Sequence, residues 1–155
     1  MTIRFAVRED IPGIIRLLQQ VGRVHYDIRP DLFRSDAQKY DAAALEALLA
    51  DPNRPVLIAG EGQVKGYAFC IVRDVKNDPV LCDRRELYLD DLCVEESCRG
   101  QGIATALYRE VQALARKLDC RAVTLNVWCG NDSAMAFYEK LGMKPQKIGM
   151  EDRLC

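Results

Sequence analysis

The segment SCRGQG at residues 97–102 carries the clearest signs of chemistry in this sequence. An apolar stretch typical of a strand leads into it, and a helical pattern begins directly after Gly102. Backbone N–H groups at a helix N-terminus lack helical acceptors and lie at the positive end of the helix dipole. Glycines let a ligand approach that backbone closely, and Arg99 adds a full positive charge. The pattern predicts a turn that binds phosphate or pyrophosphate, although two glycines also fit an ordinary strand-to-helix turn.

Two other phosphate-binding interpretations fail on the neighbouring residues. The phosphate-binding loop of nucleoside triphosphatases ends in Gly-Lys-Ser/Thr, whereas Ile103 and Ala104 follow the second glycine here. The glycine run from Gly60 to Gly66 approaches the dinucleotide-binding pattern, but it leads into a strand and not a helix. The single histidine, His25, also excludes zinc sites built on two or more histidines. We therefore expect no bound metal.

A second segment, NDSAMAFYEKLGM at residues 131–143, makes the glycine turn more specific. Together the two segments resemble the GCN5-related N-acetyltransferase (GNAT) superfamily, whose acetyl-CoA loop has the form Q/R-x-x-G-x-G/A. Ser97 stands where that family has Gln or Arg. The later segment is similar to the family motif N-x-x-A-x-x-F-Y-x-x-x-G-F, with Met143 in place of the final Phe. The order of elements is also that of the family, so the resemblance covers essentially the whole chain.

The resemblance implies acetyl-CoA as the acetyl donor and assigns residues to it. The strand before the glycine turn should pair through its backbone with the pantetheine arm, and the turn should surround the pyrophosphate. Asn131 and Ser133 should lie near the arm and Tyr138 near the sulfur atom. The strand that carries Asn126 should splay from the strand before it and open the slot that the cofactor enters. The residues expected against acetyl-CoA are Leu92, Cys93, Val94, Arg99, Gly100, Gln101, Gly102, Ile103, Ala104, Thr105, Asn126, Asn131, Ser133 and Tyr138.

Acetyl transfer from a thioester to an amine needs a group that takes a proton from the amine. An alkyl ammonium has a pKa of about 10.4, so it must lose a proton before it attacks at neutral pH. Asp90 and Asp91 precede the strand segment expected to pair with the cofactor. Adjacent strand residues point to opposite faces unless a bulge intervenes, so we expect one of them to face the pocket and favour Asp91. A solvated acidic pair, a bulge marker or a base acting through water remain alternatives.

Tyr138 is the candidate general acid for the leaving thiolate. A phenol has a pKa of about 10, so it is protonated at neutral pH and can donate. Its helical spacing with Ala134, Phe137 and Leu141 also fits a core aromatic, and the family resemblance favours catalysis. Both substrates can bind together, so the predicted mechanism is direct transfer in a ternary complex. A cysteine nucleophile is the less favoured alternative.

The stretch from Gly22 to Tyr40 loses helical periodicity and is predicted to be a loop that forms one wall of the acceptor pocket. His25, Tyr26, Asp27 and Phe33 are its candidate substrate-contacting residues. Acidic residues in and near this loop, together with Asp90 and Asp91, suggest an acidic lining for a cationic amine. The additional acidic residues in that hypothesis are Asp27 and Asp31.

Hydrophobic periodicity gives the elements that must position these groups. Helical and alternating segments follow one another in an order that, with the resemblance, predicts an α/β (α+β) fold. The sheet should be central, mixed, mostly antiparallel and twisted, with flanking helices, as in the acyl-CoA N-acyltransferase fold. The predicted strands are 3–7, 56–59, 67–72, 87–94, a buried strand 123–128 and one in the last ten residues; the helices are 11–21 capped by Asp10, 41–50, one from Gly102, and 131–141.

Composition sets the class of protein. The 155 residues fit one domain, predicted to be a single N-acetyltransferase domain over residues 1–155. A formal net charge of −1 gives no support to nucleic-acid or membrane-surface binding. The seven cysteines, several of them in apolar runs, are expected to be free, mostly buried thiols in a reducing cytoplasm. The first residues lack the apolar core of a signal peptide, so we expect a cytoplasmic protein.

The leading functional hypothesis is therefore an acetyl-CoA-dependent N-acetyltransferase acting on a primary amine. The acceptor can be a small molecule or a peptide amine, and the sequence does not identify it. One alternative is a non-catalytic acyl-CoA-binding sensor or interaction module with the same fold, and another is a different nucleotide- or phosphate-binding domain that uses the turn from Gly100 to Gly102. A homodimer is a further expectation from the family, for which the sequence locates no interface.

Overall fold

A computed structural model describes all residues from Met1 to Cys155. Its five strands form one sheet in the order β1-β2-β3-β4-β5. The first three pairings are antiparallel and the last, between β4 and β5, is parallel. The predicted mixed, mostly antiparallel sheet is thus confirmed. The strands are β1 (Ile3–Phe5), β2 (Val56–Ala59), β3 (Gly66–Val75), β4 (Arg84–Val94) and β5 (Ala122–Thr124).

Four helices flank the sheet, and two short 3₁₀ turns lead into the first and third of them. The 15-residue helix after the glycine turn and the helix that begins after Asn131 lie where the sequence predicts them. The side chain of Asp41 accepts a hydrogen bond from the Ala44 N–H and so caps the second helix. The helices are α1 (Ile11–Ile28), α2 (Ala42–Leu49), α3 (Ile103–Lys117) and α4 (Asp132–Lys140); the 3₁₀ turns are Arg8–Asp10 and Glu96–Cys98.

The two faces of the sheet bury separate apolar clusters. Alternate residues of a strand point to opposite faces, so β2 and β3 contribute to both clusters. The first cluster joins α1 and α2 to one face, and the second joins α3 to the other, with α4 packed at its margin. Representative fully buried residues are Ile14, Leu17, Leu45, Ile58, Tyr67 and Phe69 in the first cluster, and Ala68, Leu87, Leu107 and Val111 in the second.

Helix α1 is longer than its sequence pattern predicts. Gly22 interrupts the apolar periodicity, yet the helix continues to Ile28. A Cβ on Gly22 would lie 2.2 Å from the carbonyl oxygen of Ala37, so this glycine serves close packing of the following segment against the helix. The prediction of a loop from Gly22 to Tyr40 was therefore wrong for residues 22–28, which belong to the helix. His25, Tyr26 and Asp27 lie on the helix, and Phe33 lies in the loop that follows it.

Asp10 does not cap α1 through its side chain as predicted. It is buried, and its carboxylate accepts hydrogen bonds from Arg4 at 2.8 Å and from the Val7 N–H at 2.8 Å. The carboxylate therefore joins β1 to the turn that precedes the helix. The hydrogen bond from Arg4 and that from Val7 outweigh burial and lower the pKa of Asp10.

Two strand predictions near the C-terminus were wrong. Strand β5 ends at Thr124, not at Trp128, and no strand forms in the last ten residues. An extended segment becomes a strand only when a neighbouring chain edge accepts its backbone hydrogen bonds. Ile148, Met150 and Leu154 are 78%, 89% and 90% exposed, so the apolar alternation of this segment finds no packing surface in the chain.

The cysteines are all free thiols, but only two of the seven are buried, Cys70 and Cys93. Cys82, Cys129 and Cys155 are exposed, so the expectation of mostly buried thiols was wrong. No helix of the structure is long and apolar enough to cross a membrane.

Candidate active site

A cleft opens where β4 and β5 stop pairing. The parallel ladder ends at the pair Tyr88–Thr124, whereas β4 continues to Val94. From Leu89 onward the edge of β4 that faces β5 has no strand partner. The register of β4 against β3 also shifts here, because Phe69 pairs with Asp91 and Cys70 with Leu89. This leaves Asp90 as the extra residue of a bulge, and bulges interrupt ladders and bend strands.

Four elements line this cleft, which we call the acceptor cleft. Strand β4 forms one side and the segment that continues from β5 forms the other. Helix α4 closes one end, and a single residue of α1 reaches the cleft from across the sheet edge. The lining residues are His25, Leu89, Asp90, Asp91, Leu92, Leu125, Asn126, Val127, Trp128, Asn131, Ala134 and Tyr138.

A second depression, the donor turn, lies at the N-terminus of α3. Gly100 and Gly102 have φ values of 78° and 80°, in the left-handed region that favours glycine. The first backbone bond of α3 runs from Ala106 to the Gly102 carbonyl, so the preceding N–H groups have no helical acceptor. The donor turn is lined by Val94, Cys98, Arg99, Gly100, Gly102, Ile103, Ala104, Thr105 and Phe137.

These features of the donor turn fit a pyrophosphate. Three free N–H groups, those of Ile103, Ala104 and Thr105, begin a 15-residue helix. Arg99 lines the same depression and is exposed. Gln101 was predicted to contact the ligand, but its side chain does not line the depression. The turn therefore offers backbone donors and one guanidinium to an anion.

The predicted pantetheine-binding residues lie on the open part of β4. Leu92 lines the acceptor cleft and Val94 lines the donor turn, so this short stretch connects the two. Cys93 points the other way and is buried. Burial and the charge of Asp91 raise the pKa of the Cys93 thiol to about 12. This thiol stays protonated at neutral pH, which argues against a cysteine nucleophile at this position.

Both adjacent aspartates line the acceptor cleft, so the expectation that one of them faces it was wrong. The bulge removes the alternation of faces that an unbroken strand would impose. The hydroxyl of Tyr67, on β3, donates to an Asp91 carboxylate oxygen at 2.6 Å. Lys39 Nζ lies 2.6 Å from an Asp90 carboxylate oxygen, and the Tyr40 hydroxyl is 3.4 Å from the same atom.

The two carboxylates differ in their surroundings. Burial raises the pKa of Asp91 to about 6, although the Tyr67 hydroxyl and the charge of Lys39 offset part of the rise. Partial burial lowers the pKa of Lys39, but the hydrogen bond to Asp90 and the nearby charges of Asp90 and Asp91 together raise it by more, so the net shift of this pKa is upward. Asp90 thus has a cationic partner, and Asp91 has a neutral hydroxyl. Asp91 is the group suited to exchange a proton near neutral pH.

Tyr138 enters the acceptor cleft from α4. Its ring contacts Phe137 and Tyr108 edge-on, with centroids 5.0 Å and 5.9 Å away, at the margin of the second apolar cluster. Burial raises the pKa of Tyr138 above its ordinary value, and the charge of Asp91 raises it further. The phenol is therefore protonated at neutral pH. Tyr138 therefore packs at the margin of the second apolar cluster and also lines the acceptor cleft.

An aromatic stack forms the outer wall of the acceptor cleft. His25 stacks on Phe33 at 5.0 Å between ring centroids, and Phe33 contacts Trp128 edge-on at 5.2 Å. Burial, with the nearby charge of Lys39, lowers the pKa of His25, so the imidazole is neutral at neutral pH. Of the four predicted substrate-pocket residues, His25 lines the cleft and Phe33 supports it from behind.

The remaining members of that prediction lie elsewhere. Tyr26 and Asp27 do not line the cleft, and Asp27 is exposed. Asp31 pairs with Arg29 and Arg153; the Arg29 hydrogen bond, above all, lowers its pKa to about 2. The hypothesis of an acidic lining therefore holds for Asp90 and Asp91 alone.

The predicted asparagines have structural contacts as well. Asn126 lines the acceptor cleft and donates to the Tyr88 hydroxyl at 3.0 Å. The side chain of Asn131 caps α4 by accepting from the Ala134 N–H at 3.3 Å. Ser133 is exposed and donates to Asn131 at 3.3 Å, outside the cleft lining. The segment from Asn131 to Ser133 is thus a helix start.

Sequence patterns missed three residues that contact the aspartates: Lys39, Tyr40 and Tyr67. Tyr67 alternates like any strand residue, and only the register of β3 against β4 places its hydroxyl at Asp91. Lys39 and Tyr40 carry no local motif. No group of three or more His, Cys, Asp and Glu side chains suited to a metal ion occurs in the structure.

The model of the Acetyltransferase (GNAT) family matches residues 21–143 of this chain. The chain belongs to this family. The matched stretch includes the donor turn, both aspartates and Tyr138.

Solved structures share the fold of this chain. A crystal structure of a point variant of the BH1408 protein from Bacillus halodurans superposes with a TM-score of 0.95 at 30% identity, covering 100% of both chains. The aminoglycoside N-acetyltransferase AAC(6')-Iy, in complex with CoA, shares the fold with a TM-score of 0.73 at 18% identity over 99% of this chain and 100% of that chain.

Two curated sequences match over part of their length. The uncharacterized N-acetyltransferase YdgE of Bacillus subtilis (strain 168) is 30% identical over 78 residues, which is 50% of this chain and 49% of YdgE. Human N-acetyltransferase 8B is 43% identical over 68 residues, which is 44% of this chain and 30% of that protein. The matches thus span about half of YdgE and less than a third of the human protein.

Proposed function

We propose that this protein is an N-acetyltransferase that moves an acetyl group from acetyl-CoA to a primary amine, by direct transfer in a ternary complex. The observation that carries this proposal is the open edge of β4. It runs from Asp91 in the acceptor cleft to Val94 at the donor turn, so that one strand borders both binding sites.

The donor turn is suited to hold the cofactor by its pyrophosphate. Free N–H groups at the start of α3 and the Arg99 guanidinium supply donors and positive charge. The Val94 carbonyl accepts from the Gln20 amide at 3.0 Å, but the backbone of Leu92 and the Val94 N–H have no strand partner on that side and can pair with the pantetheine amides as a neighbouring strand would. This arrangement would direct the thioester toward Asp91 and Tyr138.

The acceptor cleft offers the groups that the transfer requires. Asp91, with a pKa of about 6, can take the proton that the ammonium must lose. Tyr138, protonated at neutral pH, can donate to the leaving thiolate. A backbone N–H of β4 can donate to the carbonyl oxygen as negative charge develops there. The N–C bond forms and the C–S bond breaks without a covalent enzyme intermediate; one proton of the ammonium leaves through Asp91, and the second proton that the nitrogen loses restores the Tyr138 phenol through solvent.

The acceptor is proposed to be a cationic primary amine of a small molecule or peptide. Two carboxylates face the cleft, and the His25, Phe33 and Trp128 stack offers an apolar wall beside them. A positive charge near an aromatic face and a carboxylate is favourable on both counts. Neutral and anionic acceptors should be poor.

The alternative is an acyl-CoA-binding sensor or interaction module of the same fold. A sensor needs the donor turn but has no need of a proton-accepting carboxylate and a phenol in one cleft. The presence of Asp91 and Tyr138 together in the acceptor cleft favours catalysis. The homodimer expected from the family stays a prediction, which light scattering of the full chain would check.

Calorimetry followed by a rate assay tests the proposal. Acetyl-CoA and CoA should bind to the full chain and ATP should bind much more weakly; preferential ATP binding would contradict the assignment. Thiol release should then appear with cationic amines from a panel of amine acceptors. Binding of acetyl-CoA without thiol release for any amine would favour the sensor.

Tyr138→Phe separates the two roles of this residue. The rate of thiol release should fall by roughly 10²-fold, the lower end of a general acid's contribution, with acetyl-CoA affinity unchanged. An unchanged rate would remove the general-acid assignment and leave Tyr138 as a packing residue.

A further inference from the structure

Tyr67 has the setting of a residue that acts on the reaction through another group. It lies on β3, next to β4, and is fully buried, with 0% of its surface exposed. It does not line the acceptor cleft, so it cannot touch an acceptor there. Its hydroxyl nevertheless donates to Asp91 at 2.6 Å, the short distance of a hydrogen bond to a charged acceptor.

The apolar environment of Tyr67 fixes the direction of that hydroxyl. Its ring packs edge-on against Phe69, with centroids 4.8 Å apart, and Phe69 is the residue paired with Asp91 across the sheet. A buried phenol that lost its acceptor would pay the full cost of desolvation. The contact therefore constrains both partners.

We propose that Tyr67 is a positioning residue: its hydroxyl holds the Asp91 carboxylate at the acceptor cleft and sets the pH range in which Asp91 accepts a proton. This inference rests on the proposed acetyl transfer. Under this proposal the two adjacent aspartates have different roles, because Asp91 is held by a neutral hydroxyl and Asp90 by the Lys39 cation.

The charged and titratable groups around Asp91 are few enough to give the sign of the effect. Asp90 lies beside it on β4 and Cys93 two residues along the strand, Lys39 approaches from the loop before α2, Tyr138 faces it from α4, and the neutral His25 of α1 lines the same cleft. Burial and Asp90 favour the neutral carboxyl group, whereas Tyr67 and Lys39 favour the carboxylate. Removal of the Tyr67 hydroxyl should therefore raise the pKa of Asp91.

The experiment compares Tyr67→Phe with Tyr40→Phe in the full chain. The pH profile of kcat/KM for thiol release should rise through about pH 6 in the parent, as Asp91 ionises. In Tyr67→Phe this rise should move up by about one pH unit, the effect of losing a hydrogen bond to a charged group, while acetyl-CoA affinity is unchanged. Tyr40→Phe, which alters a contact to Asp90, should leave the position of the rise unmoved.

A rise at the same pH in Tyr67→Phe and the parent would overturn the proposal, as would equal shifts in the two variants. Carbon-13 NMR titration of the aspartate carboxyls in the parent covers the case in which Tyr67→Phe does not fold. The Tyr67 Cζ resonance should change with the same midpoint as the Asp91 carboxyl, which is the carboxyl signal absent in Asp91→Asn; a Tyr67 resonance that does not follow that carboxyl would overturn the proposal. Because this titration needs no catalysis, failure of the acetyl transfer itself would be recognised separately.

Discussion

The two halves of the site are built in different ways. The donor turn is built mainly from one continuous segment, Cys98–Thr105, with Val94 and Phe137 at its margin, and its donors are mostly backbone N–H groups. The acceptor cleft draws on α1, β4, the segment after β5 and α4, with β3 and the loop before α2 behind it. Its chemistry is carried by side chains. A backbone site depends on local conformation, whereas a side-chain site depends on the register between distant segments.

The two halves also differ in how charge is controlled. In the donor turn, positive potential comes from a helix N-terminus and needs no ionisable partner other than Arg99. In the acceptor cleft, two adjacent carboxylates have unequal partners, and this inequality makes one of them suitable as a base. Substitutions in the donor turn should therefore change binding of acetyl-CoA, and those in the acceptor cleft should change the rate and its pH dependence.

Asp91→Asn should produce the largest effect. It keeps an oxygen that can accept from Tyr67 but cannot take a proton, so kcat should fall roughly 10²- to 10⁴-fold, the contribution of a general base. The KM for acetyl-CoA should stay constant, as steady-state thiol release would show. Asp90→Asn is the matched control, expected to affect mainly the KM of the acceptor. A larger loss of kcat in Asp90→Asn than in Asp91→Asn would reverse the two roles.

Gly102→Ala should weaken acetyl-CoA binding about tenfold. An L-residue in the left-handed region costs roughly 1–2 kcal/mol, and 1.4 kcal/mol is a factor of ten in affinity. Relief of that strain would turn the N–H groups away from the pyrophosphate. Calorimetry with acetyl-CoA measures the change.

Gly62→Ala is the matched control for this effect. Gly62 has a φ of 76°, close to the 80° of Gly102, and a Cβ at either position would meet no atom within 4 Å. Gly62, however, lies in the turn between β2 and β3. Neither variant should lose more than the roughly 1–2 kcal/mol of this strain in stability, and only Gly102→Ala should lose affinity, because only there must binding restore the strained conformation. Equal affinities of the two variants for acetyl-CoA would show that the conformation of the donor turn is unimportant for binding.

The smallest expected effect is a gain of stability in Asp91→Asn. The folded pKa of Asp91, about 6, exceeds the ordinary value of 3.8, so the folded state binds this proton more tightly. The stabilisation from that proton is present below about pH 4 and lost as the pH rises through 6. At pH 8 the variant should therefore be more stable than the parent by about 1 kcal/mol, allowing for residual solvent contact. Urea unfolding should show that the difference in free energy of unfolding between variant and parent is present at pH 8 and absent at pH 4. The same difference at both pH values would contradict this prediction.

Local patterns predicted much of the fold. The apolar runs of β2 and β3, the starts of α2 and α4 near Asp41 and Asn131, and the glycine turn before α3 depend on nearest neighbours in the chain, and the structure places each close to where the sequence indicates. The end of α1 was missed because Gly22 packs against Ala37 and does not stop the helix. The end of β5 was missed because strand length depends on a partner edge.

The sequence by itself determined the donor turn and the order of elements, since glycine conformation, helix capping and hydrophobic periodicity act over a few residues. It also supplied the candidate pair Asp90 and Asp91. Only the tertiary structure decided how the two aspartates differ. The bulge turns both into one cleft, Tyr67 reaches Asp91 from β3, and Lys39 reaches Asp90 from the loop before α2. The physical reason is that the pKa of a carboxyl group depends on burial and on the groups that surround it in space.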